Sequence, residues 1–142
     1  MSLPELLERV KAASGPDREL GADLLWVLDH ARAQAVFNNA AMGMPRSYPP
    51  TLPIPAGLGR LAVRAMGADI TASIDAAVAL IERTLPGWRW MVRRIYPEDG
   101  GGPLFCAYAE QVDGPMFSRT APTAPLALII ALLEAKIAED KP

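Results

Sequence analysis

Arg83, Arg89, Arg93 and Arg94 form the local basic cluster of this chain, and they are interleaved with Trp88, Trp90 and Tyr96. Guanidinium groups bind carboxylates or phosphates, and aromatic rings between them could stack on nucleic-acid bases. Alternation along an extended segment, however, puts Arg89 and Arg93 on one face and Trp88 and Trp90 on the other. The arginines therefore do not share a surface with the indoles, and a solvated sheet face is the plainer expectation. The other reactive residue types are sparse. His30 is the only histidine and follows Asp29, but neighbours in sequence on a helix point in different directions, so the two do not make a base and its orienting acid. Cys106 is the only cysteine, which excludes an internal disulfide and a thiolate-rich metal site. Placed mid-strand without an assured cationic neighbour, it is expected to be a small buried hydrophobe.

Gly100, Gly101 and Gly102 follow Asp99 but lie between two expected strands. A phosphate cradle requires a strand-to-helix turn that aims backbone N–H groups at the ligand, so a hairpin turn is expected instead. Asp17 and Asp75 stand where helices should begin and favour the positive end of the helix dipole, and the remaining carboxylates fit solvated turns and helix ends. No spacing suits a metal. Catalytic residues, cofactor ligands and metal ligands are accordingly expected to be none.

The elements that would position these residues can be read from the chain. It has 142 residues, 51% apolar and 21% charged, enough for a single domain with one packed core. Fourteen basic and sixteen acidic residues leave a net charge of -2, so no global field draws it to nucleic acid or anionic lipid. The apolar run from Leu126 to Leu133 falls far short of the roughly 20 residues needed to span a bilayer. The amphipathic N-terminus lacks the signal-peptide pattern, and a cytoplasmic location with no membrane partner is expected.

Residues 1–37 are expected to form a helical hairpin. Ser2 and Glu5 have capping-box spacing, Asp17 or Pro16 opens the second helix, and the stripe of that helix extends to Phe37. Residues 38–59 form a proline-rich connector, with a short helix over 58–66 behind it. Residues 71–139 form a helix-hairpin-helix core. Ile74, Ala77, Val78, Ile81 and Leu85 step by three and four, and then the period changes to two across Pro86-Gly87. Strands are expected over 88–95 and 104–111, with a short third around 116–118 after Asp113-Gly114. A final helix runs from near Thr123 to Glu139, and Leu128 and Leu132 widen its apolar stripe beyond one face. It either packs between the sheet and another helix or supplies a homodimer or partner contact through Leu128 and Leu132. The fold class is α+β: a two- or three-stranded antiparallel sheet covered by helices, in the order α-α-connector-α-β-β-α.

The words SIDAAVALIERTLPGWRWMV, FCAYAE and TAPTAPLALIIALLEAKIAED resemble the helix, Gly-Trp strand, second strand and closing helix of small phage and prophage proteins with the phage ABA-sandwich domain. LLERVKAASGPDREL resembles their leading segment. The chain departs from that pattern in a longer stretch over 31–66 and in Pro125. The resemblance implies a helix/sheet/helix sandwich and a phage or prophage origin in a bacterial cytoplasm. It brings no catalytic residues.

Three functions follow as expectations. The first is a non-enzymatic accessory protein that binds a host or phage macromolecule, in counter-defence or regulation, with a protein as partner. The second is a nucleic-acid-associated module using Arg83, Arg89, Arg93 and Arg94. The third is a small-molecule binder with a pocket under the connector, near Trp88 or Tyr108.

Overall fold

The computed structural model describes residues 2–29, 69–98, 100, 102 and 104–140. The elements are α1 (Leu3–Ala12), α2 (Arg18–Leu28), α3 (Ile74–Thr84), β1 (Arg89–Ile95), β2 (Leu104–Glu110), β3 (Met116–Ala121) and α4 (Ala124–Glu139). The fold is α+β, and the sheet has three antiparallel strands in the order β1-β2-β3. The connector over 38–59, the short helix over 58–66 and His30 lie outside the described residues.

Each helix starts where a side chain takes up orphan backbone N–H groups. Ser2 and Glu5 complete the capping box of α1. The Asp17 carboxylate accepts from the Leu20 N–H at 3.0 Å, Ser73 Oγ from Ala76 at 3.2 Å and Thr123 Oγ1 from Leu126 at 3.4 Å. The expected continuation of the second helix over 30–37 lies outside the described residues. The described helix ends at Leu28, because Asp29 leaves helical geometry, its N–H closing on the Leu25 carbonyl and its carboxylate accepting from Arg83 Nε at 2.6 Å. Between α3 and β1, Gly87 takes φ +83, a left-handed conformation that switches the chain from helix to strand. The third strand extends three residues past Ser118, to Ala121.

The register puts Trp90, Ala109 and Phe117 in one row and Val92, Ala107 and Arg119 in the next, so these share a face. That face meets α4, which contacts all three strands and, on its other side, α1 and α3. Ten consecutive residues of α4, Ala124 to Leu133, are buried, which only a helix covered all round can achieve. Within the expected class, the middle layer among the described elements is thus α4 rather than the sheet. Glu134 ties the layers together: its carboxylate takes Arg119 of β3 through Nε at 2.8 Å and Nη2 at 2.7 Å, with Lys11 of α1 at 3.8 Å.

Ala107 and Ala109 have no exposed surface, and their small side chains let α4 lie close on the central strand. Ala107→Leu should therefore overpack this contact and lower stability by about 1–3 kcal/mol. Urea denaturation with an unchanged m-value reads that loss directly. Among the described residues no helix is long and apolar enough to cross a membrane.

Candidate functional site

The second face of the sheet carries Arg89, Met91, Arg93 and Ile95 from β1, Leu104, Cys106, Tyr108 and Glu110 from β2, and Met116, Ser118 and Thr120 from β3. Alternation puts them there, because their neighbours in each strand point at α4. No described helix lies on this face. Met91 and Met116 are 38% and 58% exposed, unusual for large apolar side chains on a face that also holds a tyrosine and two arginines. Arg89 Nη2 reaches Glu110 across the strands at 3.0 Å, and the Tyr108 hydroxyl donates to Met91 Sδ at 3.4 Å. Arg93 has no carboxylate partner among the described residues.

The arginine cluster is only partly brought together. Arg89 and Arg93 share the outer face, as alternation requires, and Trp90 packs on the other side against the core. Arg83, at the end of α3, is held by Asp29. Arg94 projects to the helix side at the sheet margin, its guanidinium 5.1 Å from the centre of the Tyr96 ring. The four do not form one surface.

One expected contact is corrected. Leu128 and Leu132 have no exposed surface: they lie inside α4's double covering and present nothing to a second copy or partner. The pocket expected under the connector involves residues outside the described ones; Trp88 and Tyr108 themselves lie on opposite faces of the sheet. Trp88 packs on the core side, its ring 6.3 Å from that of Phe117, whereas Tyr108 pairs with Met91 on the opposite face. Cys106 also faces outward, half-buried, its Sγ 3.5 Å from Ser118 Oγ. Among the described residues no group of three or more His, Cys, Asp or Glu side chains is placed to hold a metal.

Sequence patterns alone missed that Tyr108, Met91 and Met116 join the arginines. The available signal was alternation in β2, where Phe105, Ala107 and Ala109 turn to the core and leave Cys106 and Tyr108 outside.

No family model matches the chain, and comparison with curated proteins and with solved structures finds no match. The likeness to the phage ABA-sandwich domain therefore rests on the short sequence words alone.

Proposed function

We propose that this chain is a non-enzymatic phage or prophage accessory protein, acting in a bacterial cytoplasm in counter-defence or regulation. It works by binding a host or phage protein on the outer face of the sheet. The phage assignment is supported by the sequence resemblance. The binding surface is supported by a single observation, the make-up of the outer face: exposed Met91 and Met116, Tyr108 at its centre, and arginine in place of lysine. Methionine, aromatic residues and arginine are the types enriched where proteins meet, and lysine is depleted there. Exposed apolar side chains on such a face gain by being covered. A nucleic-acid surface fits less well, since Glu110 neutralises Arg89 and Asp29 neutralises Arg83, leaving only Arg93 and Arg94 of the cluster to release counterions.

Affinity capture from the native host, with bound proteins identified by mass spectrometry, tests this. Met91→Glu combined with Met116→Glu should keep the melting temperature and lower recovery of the captured partner at least about tenfold. Equal recovery by the folded double variant would count against the face.

A further inference from the structure

We infer that the edge of β1 opposite β2, unpaired among the described residues, is a strand-addition site for an extended acidic segment of another protein. This rests on the binding role proposed above and names the partner's chemistry and mode of contact. In the strand order β1-β2-β3, β1 pairs only with β2 among the described residues. Its other edge presents a row of backbone N–H and C=O groups that an incoming strand can satisfy.

Charge selects the strand. Arg93 and Arg94 are consecutive, both exposed, and neither has a carboxylate partner among the described residues. Being consecutive, they stand on opposite faces of the sheet. Successive side chains of an added strand do the same, so two adjacent acidic residues meet both arginines at once. The planar guanidinium fork matches a carboxylate bidentately, and the Tyr96 ring beside Arg94 restrains its position.

The chain's own sequence offers the edge little acidic extended material outside the helices. The edge strands RWMVRRI and MFSRTA contain no Asp or Glu, and residues 30–68 contain four arginines and no Asp or Glu. Pairing β1 with β1 of a second copy would gather six arginines, three from each strand, with like charges opposed. Edge arginines of this kind turn away neutral and basic strands while leaving an acidic one favoured.

Fluorescence anisotropy with the full chain tests the site. The probe is a labelled peptide of alternating Thr and Val with a central Asp-Glu pair. The expected result is saturable binding that Arg93→Ala with Arg94→Ala weakens at least about tenfold at unchanged melting temperature. Binding should fall similarly when the central pair is Asn-Gln, and again when the peptide backbone is N-methylated along its pairing edge. Equal binding of the N-methylated peptide would overturn strand addition. Tighter, competing binding of oligothymidine would overturn it in favour of a phosphate ligand. No peptide binding, in a chain whose partner capture still depends on Met91 and Met116, would overturn the edge site and leave the outer-face reading standing.

Discussion

Leu132→Ala should lower the free energy of unfolding by about 3–5 kcal/mol, and Leu128→Ala by a similar amount. Both side chains have no exposed surface and lie in the buried stretch of α4, between the sheet and the layer of α1 and α3. Truncation removes buried methyl groups and leaves a cavity that two rigid layers cannot collapse around, so the loss falls at the upper part of the usual range. A contact surface would behave differently. Were these leucines at an interface, the variants would keep their stability as isolated chains and change only their association. Urea denaturation at two protein concentrations separates the cases: a large loss independent of concentration is expected, and an unchanged midpoint would contradict the layer order.

Thr71→Val should cost about 1–3 kcal/mol although it preserves side-chain volume. Thr71 has no exposed surface, and its Oγ1 accepts from the Asp17 N–H at 2.7 Å while lying 2.5 Å from Asp69 Oδ1 and 3.1 Å from the Asp17 carbonyl. The same carboxylate oxygen accepts from the Thr71 N–H at 3.0 Å. This knot fastens the chain around Asp69 to the start of α2. Valine deletes the hydroxyl, so the Asp17 N–H loses its acceptor and Asp69 Oδ1 keeps only the Thr71 N–H, whereas Thr71→Ser keeps the hydroxyl and should retain most of the stability. Gly21 belongs to the same knot. A Cβ there would stand 2.8 Å from Asp69 Oδ1, which the two bonds from Thr71 hold in place. Gly21→Ala should therefore destabilise, even though alanine in a helix is ordinarily worth about 1 kcal/mol over glycine. A gain in melting temperature for Gly21→Ala would show that the carboxylate moves freely.

Local chemistry was legible where one short segment decides it. Ser2, Asp17 and Thr123 mark three of the four described helix starts because a capping side chain bonds only two or three residues ahead. The change of period at Pro86-Gly87 marks the passage from α3 to β1, and the over-wide stripe of α4 signals a helix covered on two sides. Periodicity could not say what covers it. A second copy and the chain's own α1 and α3 bury Leu128 and Leu132 equally well, and only the tertiary contacts decide. The outer face was hidden for a related reason: Tyr108 joins Arg93 only through the pairing of β1 with β2, which strand composition does not specify. The Thr71 knot joins residues 54 apart in sequence, beyond the reach of any local pattern.

The most direct test of the outer face as the binding surface is hydroxyl-radical footprinting of the chain alone and with its captured partner, read residue by residue by mass spectrometry. Met91, Tyr108 and Met116 are expected to oxidise readily in the free protein and to become protected together in the complex. Unchanged oxidation of all three on binding would contradict the account.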